Sequence, residues 1–223
     1  LTHLHHDHIG AAAAVSTHFG VPVVASERTA ADLRAGGGSG ASTGGFSLED
    51  LPAIDRWVGE GDWIAGRWRV LETPGHAHGH LCLFDEATRT LIAGDMLADG
   101  STVVIEPDQG DMSAYLTSLE RLAALRPHLI IAAHGMPIAR GAAAFKGLID
   151  HRLRREARVR SALEESGGGD LPVLVRLAYA DTPEFLWPLA QLSLESHLIR
   201  LIECGEVCRT GTRYMLVQLR ADR

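Results

Sequence analysis

Three cysteines in 223 residues (Cys82, Cys204 and Cys208) are too few for a disulfide framework, and their scarcity fits a reducing, cytoplasmic setting. Cys204 and Cys208 lie four apart, but Gly205 breaks the helical pattern between them and nothing nearby completes a metal set, so the pair reads as structural. No stretch approaches 18 consecutive apolar residues, which excludes a membrane-spanning helix. No secretory leader is visible, and the chain opens at Leu1 inside a motif, so residues upstream are expected to be missing. There is no internal repeat. Positive charge is also short: the formal net charge is −7, which argues against gripping nucleic acid by bulk electrostatics. What remains is an ordinary globular composition, 46% hydrophobic and 22% charged, sized for one large domain or one large and one small.

The charge is unevenly spread. Residues 1–140 carry 9 basic and 17 acidic side chains, against 12 and 11 in residues 141–223, and the acidic part holds ten of the twelve histidines. That combination points to cations as ligands. The texture also changes along the chain. Helices are expected at about 9–19 and 27–34, and strands at 21–25, 68–72, 80–85, 90–93 and 129–133. The segment 56–70 reads as paired strands, and 113–125 as a helix stopped by Pro127. The Gly-rich run 36–45 reads as an exposed loop. Beyond Pro137 come a long helix at 142–165, a Gly167-Gly168-Gly169 break, helices at 171–179 and 184–203, and a hairpin at 207–219. That order suggests a winged helix.

The chemistry concentrates in four places. Thr2-His3-Leu4-His5-His6-Asp7-His8 packs four histidines and an aspartate into six positions; imidazole and carboxylate are the usual ligands of zinc and its neighbours. On a strand-end loop the alternation aims His3, His5, Asp7 and His8 toward two adjacent metal sites. Three further metal-competent groups follow strands: Thr73-Pro74-Gly75-His76-Ala77-His78-Gly79-His80, Gly94-Asp95 and His134-Gly135. Strand ends are where open α/β sheets bind ligands.

In this order the four motifs, HxHxDH, TPGHxxGH, GD and HG, resemble the metallo-β-lactamase superfamily over residues 1–140. The resemblance implies an α/β fold, the αββα sandwich, with its first strands apparently absent. It implies two divalent ions, expected to be zinc: one held by His3, His5 and His76, the other by Asp7, His8 and His134, with Asp95 bridging. A water activated on that pair as hydroxide would be the nucleophile, Asp7 would help orient it, and His80 would sit behind a ligand or face the substrate. His6, His78, His18, His128, His151 and His197 are read as ordinary core or surface residues, and Cys82 as packing.

The remainder narrows the resemblance. Gly94-Asp95-Met96-Leu97 with Gly100 to Val104, His134-Gly135-Met136-Pro137-Ile138 leading into an arginine-bearing helix, and Tyr179 to Glu184 are similar to the endoribonuclease-type beta-lactamase-like protein 2 group, whose winged-helix appendage corresponds to 166–223. The division expected is a catalytic domain at 1–140, a connecting helix at 141–165 and a winged helix at 166–223. The activity implied is phosphodiester cleavage in single-stranded RNA, with arginines 152, 154, 155, 158 and 160 available for phosphates. The alternative is a thioesterase of the hydroxyacylglutathione hydrolase or carrier-protein type, although Gly135-Met136-Pro137 stands where hydroxyacylglutathione hydrolases have Glu-Tyr-Thr. The tail is net acidic, which disfavours DNA. It is expected to pack beside the active site or against a second copy in a homodimer.

Overall fold

A computed structural model describes residues 1–35, 51–100 and 102–217; the expected loop at 36–45 lies outside them. In chain order the elements are α1 (His6–Ile9), α2 (Ala12–Phe19), β1 (Val24–Ala25), α3 (Glu27–Arg34), β2 (Arg56–Trp57), β3 (Trp63–Ile64), β4 (Trp68–Glu72), β5 (Leu81–Asp85) and β6 (Thr90–Gly94). They continue with α4 (Met112–Ala124), β7 (Leu129–Ala132), β8 (Ile138–Ala139), α5 (Gly141–Ser166) and α6 (Leu171–Ala178). After a single 3-10 turn at Glu184–Leu186 come α7 (Trp187–Glu203), β9 (Val207–Thr210) and β10 (Arg213–Leu216).

Strands β3 to β8 form one sheet in sequence order, antiparallel throughout except for the parallel pair β6–β7. The β3–β4 link turns on Ala65 and Gly66, both at positive φ (52° and 64°), with the Arg67 N–H returning to Ile64 O (3.1 Å). Helix α4 starts where the Asp111 carboxylate accepts the Ala114 N–H. Its apolar stripe of Tyr115, Leu119 and Leu122 joins Phe145 of α5, Leu91 of β6 and Ile130 of β7 in the main core. β1 and β2 pair separately and in parallel, so β2 is not the hairpin partner of β3 that the 56–70 reading anticipated. The extended stretch Asp55–Trp57 is drawn instead to the chain after Val23, whose N–H donates to the Asp55 carboxylate.

Strand direction decides where the motifs fall. β4, β6 and β7 all run the same way, so the residues after each of them emerge along one edge of the sheet. The Leu81 N–H at the start of β5 donates to Thr2 O (2.8 Å), which brings the opening loop to that same edge.

A second core is built by α6, α7, the β9–β10 hairpin and the second half of α5 (Val159, Ala162 and Leu163). Gly169 and Tyr214 exchange backbone hydrogen bonds, giving the hairpin a third short partner. This is the winged-helix arrangement. Helix α5 is therefore more than a connector: Phe145 at its start and Val159 further on belong to different cores.

The turn of TPGH is packed backbone to backbone. Gly75 has φ +140°, and a Cβ there would lie 2.2 Å from Tyr115 Cα. Neither main chain has room to yield. Gly75→Ala should destabilise the protein by about 3 kcal/mol or more, read as a shift of the urea unfolding midpoint. An unchanged midpoint would contradict the contact.

Candidate metal centre

Three imidazoles meet first. His3 Nε2 and His76 Nε2 each lie 2.9 Å from His5 Nδ1. His76 Nδ1–H donates to Val104 O (2.9 Å), which leaves the lone pair on Nε2, facing His5. Burial, reinforced by the neighbouring imidazoles, holds the pKa of His3 well below its usual value, and burial then His5 push His76 down to about 4. The rings are neutral at pH 7, and their nitrogens converge as electron-pair donors. His5 sits on extended backbone (φ −63°, ψ 148°) immediately before α1.

A second group lies alongside. His134 Nε2 is 3.2 Å from Asp7 Oδ2, and His8 Nε2 is 3.7 Å from the same oxygen. Asp7 and His8 stand on the one-turn helix α1, so the alternating aim expected of the whole HxHxDH run holds only as far as His5; beyond it a helical turn swings Asp7 and His8 to the neighbouring group. Asp95 faces both groups. Its Oδ2 is 3.5 Å from His76 Nε2, while Oδ1 is 3.3 Å from His8 Nε2 and 3.5 Å from His134 Nε2. Burial works to raise the Asp95 carboxyl, but the neighbouring His8 above all outweighs it and holds the group below its ordinary value.

The structure thus brings together all seven residues proposed as ligands, as His3, His5, His76 and Asp95 in one set and Asp7, His8 and His134 in the other. Each set offers donor atoms within 4.8 Å of one another. His5 Nε2, His8 Nε2 and Asp95 Oδ1 are buried without a hydrogen-bond partner. Lone pairs crowded at such distances, with buried donor atoms left over, suit a divalent cation and little else.

Of the two expectations for His80, behind a ligand or facing the substrate, the geometry fits the first. It is fully buried, with its pKa pushed down to about 3 by burial. Its Nε2 accepts the Asp95 N–H (3.1 Å), so its proton is on Nδ1, which donates to Thr73 Oγ1 (2.8 Å). Thr73 in turn donates to Cys82 Sγ (3.3 Å). No ring nitrogen is left for a substrate, and the residue positions Asp95 instead. Gly94, at φ +49°, is where this ring comes closest, since a Cβ there would be 2.6 Å from His80 Nε2. The arginines expected at phosphates are also otherwise engaged: Arg155 and Arg158 pair with Asp181, Arg160 with Glu206 and Glu156, and Arg152 is buried. Arg154 alone of the five is exposed without such a pair among the described residues. His197, buried, bonds Glu156 at 3.3 Å. Gln109, buried beside His5, went unread because nothing in the motif spacing marks it.

With this geometry in view, a family model described as "Metallo-beta-lactamase superfamily" matches residues 1–134, and one described as "Beta-lactamase associated winged helix domain" matches 171–214. The chain belongs to the metallo-beta-lactamase superfamily and is a hydrolase of that superfamily. Among relatives, it is 28% identical over 215 residues to a beta-lactamase-like protein 2 homolog of Drosophila melanogaster, covering 93% of this chain and 68% of that one. It is 36% identical over 124 residues to an atrochrysone carboxyl ACP thioesterase of Aspergillus chevalieri, covering 52% of this chain and 39% of the relative. Among solved structures, a metallo-beta-lactamase family protein from Thermus thermophilus superposes with a TM-score of 0.78 at 26% identity, covering 97% of this chain and 78% of that one.

His80→Ala removes the acceptor for a buried N–H and the donor to Thr73, and it leaves a void. The metal-free protein should lose about 3 kcal/mol by urea unfolding. A residue that merely contacted substrate would leave this stability unchanged.

Proposed function

We propose that the chain carries a two-metal hydrolytic centre. His3, His5 and His76 hold one ion, Asp7, His8 and His134 the other, and Asp95 spans them; zinc is the ion we favour. The observation that carries this reading is Asp95, whose two oxygens point to different ligand groups. When bound, such a pair supplies a water of lowered pKa and positive charge for the oxygen that becomes negative. Asp7, half-exposed beside His134, would accept a hydrogen bond from such a water and orient it. His80 holds the Asp95 backbone, and so the carboxylate, in register. No side-chain nucleophile is called for: burial pushes the Cys82 thiol up to about 12, and the other two cysteines lie outside both ligand groups.

The substrate class we favour is single-stranded RNA, cleaved at a phosphodiester. Kinship over both segments of the chain to the beta-lactamase-like protein 2 group supports it. Paired arginines make the metal centre, and not the α5 surface, the main phosphate contact. The second reading is a thioesterase, favoured by the Aspergillus relative, whose name specifies that activity. Both use the same water and the same ions. The acidic tail keeps DNA off the proposal, no helix among the described residues is long and apolar enough to cross a membrane, and a cytoplasmic homodimer remains our working picture.

Full chain supplied with zinc should cleave a fluorogenic single-stranded RNA, and Asp95→Ala should lower the rate at least about 1,000-fold. Turnover of an acyl-carrier thioester with no RNA cleavage would move the substrate assignment to the second reading. Full activity in Asp95→Ala would overturn the bridging role.

A further inference from the structure

Three consecutive carbonyls after Thr102 are each claimed by a different part of the molecule. Val103 O accepts from Arg152 Nη2 of α5 (2.5 Å). Val104 O accepts from His76 Nδ1 (2.9 Å). Ile105 O accepts from Ser196 Oγ of α7 (2.6 Å). All three bonds are buried or partly buried, and Arg152 and Ser196 are each only 3% exposed. The carbonyl that fixes the ring of His76 is therefore flanked on both sides by bonds from the two long helices that also build the second core.

Arg152 does more than hold Val103. Its guanidinium lies 5.3 Å over the ring of Tyr115. The Tyr115 hydroxyl donates to Met96 O (2.7 Å), one residue beyond Asp95. The Tyr115 backbone is also the surface against which Gly75 packs, one residue before His76. One buried cation thus touches the supports of two ligands. Burying an arginine is costly, and an apolar side chain would fill the same space more cheaply unless the geometry it enforces matters.

We propose that Arg152 and Ser196 are positioning residues for the metal centre, which clasp the 103–105 loop so that Val104 O holds the His76 ring in its ligating orientation. The inference rests on His76 being a ligand, as read above. A partner that orients a ligating histidine governs metal affinity, with losses of about 10–100-fold typical when such a partner is removed. Here the partner is a backbone carbonyl, so its placement depends on what grips its neighbours. The winged-helix segment acquires a role at the catalytic centre that needs neither nucleic acid nor a second subunit.

The test uses the full chain loaded with cobalt(II), whose visible bands report ligand geometry, with affinity measured against a competing chelator and the stability of the metal-free protein measured by urea. Ser196→Ala and Arg152→Met should each weaken cobalt binding about 10-fold and alter the bands, and Ser196→Thr, which keeps the hydroxyl, should restore both. Ser196→Ala removes one oxygen atom, so it reads out the clasp even if Arg152→Met does not fold. Bands and affinity sensitive to His76→Ala but unchanged in Ser196→Ala, with only urea stability lowered, would overturn the clasp and leave the ligand assignment standing. Bands and affinity unchanged in His76→Ala would overturn the ligand assignment and the clasp with it.

Discussion

A largely buried carboxylate ringed by imidazoles is the constraint around which this molecule is arranged. Asp95 is largely removed from solvent, and burial alone would drive it toward the neutral acid. Its carboxyl is nonetheless held below its ordinary value, first by His8 and with it His134, both facing Oδ1. Burial and mutual proximity in turn keep the ring of His76 neutral. Each group makes sense only with the others. The backbone beneath Asp95 is fixed independently, by His80 below and, through Met96 O, by Tyr115 beside it. The loop cannot relax without breaking two buried hydrogen bonds.

That constraint explains why the sheet has its topology at this edge. The clustered histidines and aspartates come from the opening loop and from the ends of β4, β6 and β7, four separate places in the sequence. Only strands that share a direction deliver their C-terminal residues to one edge, and the parallel β6–β7 step achieves this for Asp95 and His134. The glycines of the motifs serve the same convergence. Gly75 lets the chain pass against Tyr115, and Gly94 lets the His80 ring reach the Asp95 N–H. Their absence of side chains is as much a part of the site as the histidines.

The seven residues of the two side-chain groups were legible in the sequence because histidine and aspartate at strand ends are few and their order is distinctive. The long elements were also legible: α3 runs over Glu27–Arg34 as its pattern indicates, β4 over Trp68–Glu72, and α5 differs from its expected bounds by a residue at each end. Short elements were not. α1 has four residues and β8 two, lengths at which periodicity carries no signal, and the partner of β2 is set by tertiary contact with β1. Roles were harder to read than positions. His80 belongs to a motif that names metal chemistry, yet both its nitrogens are spent inside the protein, and sequence spacing cannot distinguish a ring that faces a cleft from one turned toward a backbone N–H. The pairing of the α5 arginines was hidden for the opposite reason. Their acidic partners Asp181 and Glu206 lie 23 to 46 residues away, beyond any local charge pattern.

Those pairings bear on what the centre can hold. Arg155, Arg158 and Arg160 tie α5 to the turn before α7 and to the loop before β9, so their charge is committed to joining the second core together. Arg152 is committed to the loop beside His76. With these cations neutralised or buried, and a net charge of −7, an RNA bound here would displace few counterions from its backbone. Its hold on the protein would come from a phosphate at the ions and from contacts that do not depend on long-range attraction. The same economy suits a thioester, which brings little charge to the reacting carbonyl. What the two substrates share is a single electrophilic centre that must be presented to one water, and the structure invests its buried polar groups in fixing that point.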